Sequence, residues 1–316
     1  YEISLGLVGS EMCIRDRAIV GVVVFSIIHL APGDPAAIMA GEDADYEQVE
    51  AMREAMGLLD PIPVQFWKFV SGVATGDFGE SIFSGHKVSK LILDRVEPTL
   101  SLALISLTIS IVVSIPAGVL AAWKMNSIFD RIVMILALTG YAVPYFALGY
   151  VMIILFAVKL PWFPAGGYVY MEESFTQYIY HLLLPSFVLG FAGSALITRM
   201  TRATMLEVLK EDYVRTARAK GLGETIVLLR HAFRNAANPV ITVIGFSIAG
   251  FISGVVITET VFAIPGMGRL ITESIAQRDF QIIQSTILIV ALIYVLVNLI
   301  IDVLYVFVDP RIRYDQ

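Results

Sequence analysis

Few side chains in this sequence have both the type and the company that chemistry demands. Glu259 and Arg269 bracket the turn Pro265-Gly266-Met267-Gly268. Opposite charges placed so suit either a gate or a local ion pair at a helix end, the latter worth ~0–1 kcal/mol if exposed. Asn298 and Asp302 stand within the last long apolar run, where a carboxylate is a functional residue by default because its charge is costly in hydrocarbon. Asp302 also lies close to Asp309-Pro310, so pairing with a basic group at the membrane edge is the second reading. Tyr141 and Tyr145 flank Pro144. A phenol offers a stacking face and a hydrogen bond, which suits the wall of a path as well as plain packing. His29, His86, His181 and His231 are scattered, without the spacing that puts two imidazoles on one metal. No G-x-x-x-x-G-K-[ST], H-E-x-x-H or G-x-S-x-G pattern occurs, so neither a phosphate cradle nor the commoner hydrolase sites are expected. No catalytic residue and no metal ligand is assigned.

The elements that must position these groups are apolar helices. The chain is 57% hydrophobic and 16% charged, a balance that water does not solvate. Apolar stretches long enough to cross ~30 Å of hydrocarbon are read at Leu100–Trp123, Ile132–Val158, Leu182–Thr198, Val240–Ile257 and Ile282–Ile301, with a shorter one at Ala18–Ala31. Pro116, Pro144 and Pro185 lie in these runs and predict kinks. The net charge of −6 argues against nucleic acid as a partner. The single cysteine, Cys13, excludes an internal disulfide framework. Residues Tyr1–Arg17 place Glu11, Arg15, Asp16 and Arg17 where a first span needs apolar residues. They are read as foreign to the gene product, the alternative being a short first span starting near Ala18.

Lys and Arg decide sidedness. The stretch Arg199–Asn238 carries Arg199, Arg202, Lys210, Arg215, Arg218, Lys220, Arg230 and Arg234. Placing it inside also brings Lys124, Arg131, Arg311 and Arg313 inside, so both termini are expected in the cytoplasm. The acid-rich segment Pro32–Arg95 is then outside. There Asp45 is expected to cap a helix ending at Gly57. Pro63 is expected to start a second, with Val64, Trp67, Val70 and Ala74 on one face. Val88, Leu91, Ile92, Arg95 and Val96 form a third stripe leading to the membrane at Pro98. This segment reads either as a lid on the bundle or as a landing site for an extracytoplasmic protein.

Within the basic loop, Glu211 and Asp212 sit where a helix start favours anions, Lys220 where its end favours cations, and Gly221 where a left-handed stop is needed. A second helix is expected from Glu224, with Ile226, Leu229 and Phe233 inward, closed by Asn238-Pro239.

These residues resemble the cytoplasmic EAA loop of ATP-binding-cassette (ABC) importer permeases. The pattern Glu-Ala-Ala, three residues, Gly falls here on Arg215-Thr216-Ala217 and Gly221, a form similar to the oligopeptide/dipeptide (and nickel) branch. The resemblance extends to its B-type subunit through four further blocks. They are His29-Leu30-Ala31-Pro32-Gly33-Asp34-Pro35, Gly76-Asp77-Phe78-Gly79-Glu80-Ser81, the run from Glu259 to Leu270, and the run from Asp302 to Arg311. Tyr1–Arg17 departs from the family, which has a basic start followed by apolar residues.

The resemblance implies an all-α integral membrane fold, the six-helix transmembrane domain of type I (MetI-like) ABC importers, with an extracytoplasmic helical insert after the first span. Along the chain this gives a foreign segment at 1–17, a first transmembrane helix at 18–31, an extracytoplasmic segment at 32–95 and a five-span permease core at 96–309. The core holds the coupling loop 199–238, and a cytoplasmic tail follows at 310–316. It also implies a non-catalytic subunit in a bacterial or archaeal cell (inner) membrane. Its partners are a homologous C-type permease, two ABC ATPases, an extracytoplasmic solute-binding protein and a peptide substrate, with ATP and Mg on the partners and no cofactor on this chain. Asp212, Tyr213, Arg215, Thr216, Ala217, Arg218 and Gly221 carry the coupling. Tyr141, Pro144, Tyr145, Glu259, Arg269, Asn298 and Asp302 remain the residues for a path or gate. Import of nickel or another small solute, an ion-driven carrier and an intramembrane protease using Asp302 stay open as alternatives.

Overall fold

The computed structural model describes residues 21–26, 34–40, 44–55, 57–81 and 83–308, without the side chains of 35, 38, 39, 55, 249, 298 and 300–308. Among the described residues the chain is helical, and its one β-type pairing is the isolated bridge Glu80–Lys87. It divides into two compact units. The first comprises Tyr1–Val96 with Leu270–Leu296 and Gln316, the second Glu97–Arg269 with Val297–Asp315.

The first unit opens with short helices α1 (Pro35–Ala40), α2 (Tyr46–Ala55) and α3 (Ile62–Thr75). Asp45 starts α2 reciprocally: its Oδ1 accepts from the Glu47 N–H at 3.2 Å and its own N–H donates to Gln48 Oε1 at 3.2 Å. Helix α3 begins after Pro61 and stops at Gly76 in the left-handed region. The face expected to carry Val64, Trp67 and Val70 is exposed. Phe66 and Phe69 turn inward instead, their rings 5.2 and 5.9 Å from that of Phe25. Helical spacing fits either stripe, and the aromatic pair buries more area.

Helix α4 (Val88–Trp123) passes Pro98 and Pro116 without a break. In the second unit it is followed by α5 (Ile128–Ala142), α6 (Tyr145–Met152) with a wide π-type continuation Ile153–Lys159, and α7 (Phe175–Val208). Next come α8 (Asp212–Ala219), α9 (Glu224–Ile226) with wide turns Val227–Phe233, and α10 (Arg234–Val261). Helices α11 (Met267–Gln277) and α12 (Phe280–Val308) complete the chain. Helix α7 is the axis of the second unit. Its Leu182, Leu184, Val188 and Leu189 pack with Leu102, Leu148, Phe251 and Val255. Close approach of α4 requires glycine: a Cβ on Gly190 would lie 2.8 Å from the Ser106 carbonyl, and one on Gly118 2.6 Å from Thr201 Cβ.

Among the described residues three helices, α4, α7 and the first part of α12, are long and apolar enough to cross a membrane, and up to five spans arise there if two bent pairs are each one span. The expected run Ile132–Val158 is not one straight helix. The chain turns by 111° between Ile128–Ala142 and Tyr145–Lys159, with Val143 extended before Pro144. Proline lacks an N–H and forces its predecessor out of helical geometry. Pro185, by contrast, stays inside α7, and Pro239 inside α10, so Asn238-Pro239 does not close the loop. Of the short run Ala18–Ala31, residues 21–26 are described, as helix. Tyr1–Arg17 and His29 lie outside the described residues.

Candidate coupling surface and gate residues

The basic loop folds into a rod braced against its own chain. Glu211 is extended, Asp212 opens α8, Arg218 lies in its last turn and Gly221 takes φ 76°, the left-handed geometry that glycine adopts without strain. Two residues of α8 point inward: Val214 and Ala217 pack with Val227, Val208 and Leu209. The structure thus places Ala217 against its own chain, where a small side chain lets α8 lie close to the following turns. Arg218 Nη2 reaches Glu224 Oε1 at 2.7 Å, and Asn235 Nδ2 donates to the Tyr213 hydroxyl at 2.8 Å. Thr216 Oγ1 bonds back to the Asp212 carbonyl at 2.9 Å. Asp212, Tyr213, Arg215, Thr216 and Arg218 all remain exposed, and the side chain of Arg215 is 71% accessible and pairs with Asp212 at 3.4 Å.

The second half of the loop corrects the sequence reading. Val227, Leu228 and Ala232 are the buried residues there, while Ile226 and Leu229 are exposed. Wide turns advance by more residues per turn than an α-helix, so a face counted at α-helical spacing slips.

A pair that pattern reading missed anchors the base of this loop. Arg202, at the end of α7, donates Nε to Asp130 Oδ1 at 2.6 Å and Nη2 to Oδ2 at 2.8 Å. Asp130 also accepts from the Asn126 N–H at 2.9 Å, and Ser127 Oγ accepts from the Asp130 N–H at 3.2 Å to cap α5. A carboxylate just inside an apolar run, opposite an arginine after another, was the available signal. The partner choice was not in it.

Glu259 and Arg269 come together, and the Arg269 backbone takes part. The Glu259 carboxylate is fully buried. It accepts from Thr99 Oγ1 at 2.6 Å and from the Arg269 N–H at 3.0 Å, and Thr99 Oγ1 in turn accepts from the Met267 N–H at 2.8 Å. An anion thus sits on the positive start of α11. The Arg269 guanidinium donates to the Ala263 carbonyl at 2.9 Å. Gly266 faces the carboxylate so closely that a Cβ would fall 2.1 Å from it. Beside this turn, Tyr168 donates its hydroxyl to Glu97 Oε1 at 3.0 Å; burial raises the phenol well above its ordinary pKa, so it stays a donor.

The tyrosines at Pro144 part company. Tyr145 packs into the core with Gly254, whereas Tyr141 is 70% exposed. The side chains of Asn298 and Asp302 lie outside the described residues. No group of three His, Cys, Asp or Glu that could hold a metal is found among the described residues.

Comparison with known proteins assigns the class. Residues 114–314 match the family model for the binding-protein-dependent transport system inner membrane component, and residues 14–103 match the model for the N-terminal part of such membrane components. The chain is 45% identical over 297 residues to the probable peptide ABC transporter permease protein y4tP of Sinorhizobium fredii (strain NBRC 101917 / NGR234), covering 94% of this chain and 95% of that one. It is 43% identical over 296 residues to the glutathione transport system permease protein GsiC of Escherichia coli (strain K12), covering 94% of each. A solved structure of the inward-facing MetNI methionine ABC transporter matches with a TM-score of 0.58 at 16% identity, over 69% of this chain and 96% of that one. That likeness speaks for the fold alone.

The chain therefore belongs to the binding-protein-dependent transport system inner membrane components. It is an integral membrane permease subunit of an ABC importer, built on the all-α MetI-like fold.

Proposed function

We propose that this chain forms half of the transmembrane path of an ATP-driven importer of di- and oligopeptides, with α8 as the element seized by an ATPase. The observation that carries the coupling role is the double nature of α8. Val214 and Ala217 lock it to the loop, while its other side chains stay exposed. A rod fixed in this way transmits a push, whereas a tethered loose helix dissipates it. The peptide cargo draws its support from the relatives named for peptide and glutathione transport.

In this reading a second, C-type permease completes the path, two ATPases bind below with ATP and Mg, and a binding protein delivers cargo from outside. The chain itself catalyses nothing and binds no cofactor. Both termini and the α8 loop face the cytoplasm, in accord with the basic excess of the loop.

The test is a photo-crosslinker placed at Arg215 in the co-expressed system. Capture of an ATPase subunit is expected. Capture of none, together with transport by the isolated chain in vesicles lacking ATP, would overturn the reading in favour of an ion-driven carrier.

A further inference from the structure

A cavity of about 310 Å³ opens within the first compact unit, between α3, the loop after it and the start of α12. This is at the small end of ligand-pocket volumes. Three glutamines border it, and each commits its amino group to backbone. Gln65 Nε2 donates to the Leu58 and Asp60 carbonyls at 3.0 and 2.8 Å. Gln281 Nε2 donates to the Phe78 carbonyl at 2.7 Å. Gln284 Nε2 donates to the Val24 and Phe25 carbonyls, each at 3.2 Å. Gln65 and Gln284 each spend two donor contacts in this way, Gln281 keeps one amide proton to spare, and none of the three oxygens meets a donor among the described residues.

The other polar groups on the cavity lean the same way. Ser285 gives its proton to the Gln281 carbonyl at 2.7 Å and keeps its lone pairs. Asp77 takes the Gly79 N–H on one oxygen at 3.2 Å and brings a negative charge. Lys68 is the one cation on the lining among the described residues, and Asp60 holds it at 2.6 Å. The apolar wall includes Phe25 and Phe69, whose ring faces attract a cation. What the cavity offers among the described residues is chiefly acceptors, the Asp77 carboxylate and an aromatic wall.

We propose that this cavity binds a primary ammonium group, the free amino terminus of a short peptide. The assignment rests on the peptide reading above and deepens it by naming the end of the peptide that is recognised.

The experiment uses the permease complex with its ATPases in lipid nanodiscs, without binding protein, titrated calorimetrically with trialanine and with N-acetyl-trialanine. Saturable binding of trialanine is expected, at least tenfold weaker once the amine is acetylated. Asp77→Asn, an exposed change that keeps the turn's acceptor, should weaken trialanine at least fivefold, and Gln281→Leu should do the same. Equal binding of the two tripeptides, or affinity unmoved by both substitutions, overturns the site. ATP-driven uptake of trialanine is measured in parallel with binding protein present. Amine-selective binding that survives without any uptake would support the cavity and sink the peptide-import reading instead.

Discussion

Arg202 closes a two-point ion pair on Asp130 across 72 positions of chain, and the Asp130 side chain is only 5% accessible. The parallel geometry suits the guanidinium fork to the carboxylate. The pair ties the end of α7, from which the coupling loop departs, to the turn that begins α5.

Removing one partner of such a pair leaves the other charge poorly solvated, a loss of ~3–5 kcal/mol when burial is complete. Asp130→Asn is expected near the lower end, since the Arg202 side chain keeps 23% accessibility. Thermal unfolding of the detergent-solubilised chain should fall by several degrees, and the exchanged pair Asp130→Arg with Arg202→Asp should recover part of it. An unchanged transition in the single variant would refute the clamp.

Arg215 separates coupling from folding. Its side chain is exposed and its one ion-pair partner among the described residues is the solvated Asp212, so Arg215→Glu should leave unfolding within about 0.5 kcal/mol of the parent. ATP-driven uptake should drop at least tenfold. Normal uptake by this variant would remove Arg215 from the docking surface.

Ala217 and Gly221 test the rod itself. Ala217→Trp forces an indole between α8 and Val227, an overpacking cost of ~1–3 kcal/mol that should lift α8 and abolish co-purification of the ATPases. Gly221→Val places a branched side chain at φ 76° and should cost ~1–3 kcal/mol with the same loss. Retained co-purification in both would show that the rod's bracing is dispensable.

Glu259 is predicted to hold the start of α11. Glu259→Ala removes the acceptor that the Thr99 hydroxyl and the Arg269 N–H use, and a group that loses its partner on full burial costs ~1–3 kcal/mol, less for these half-buried ones. Gly266→Ala should destabilise comparably by crowding the carboxylate. Hydrogen exchange at residues 267–270 reports the effect directly, and protection equal to the parent's would exclude the cap.

Much of this architecture was legible because bilayer physics is severe. A long apolar run has few alternatives to a helix, and Gly221 and Asp45 mark ends through local conformational preference alone. Which face of α3 turns inward was not legible, because apolar residues occupy both of its sides and only the position of Phe25 decides between Trp67 and Phe66. The wide turns at Val227–Phe233 were invisible because their period is set by packing against Val119, Met205 and Ala236, not by composition.

Proline illustrates the same division. Pro144 breaks its helix while Pro116, Pro185 and Pro239 do not, and residue type cannot distinguish them. By itself the sequence determined the membrane class, the helices' existence and the basic rod, because these follow from apolar length, charge and local capping. The tertiary structure decided which charges meet: Asp130 with Arg202, Glu259 with the Arg269 backbone, three glutamines around one cavity. Such pairings depend on which helices lie side by side, and spacing along a chain carries no record of that.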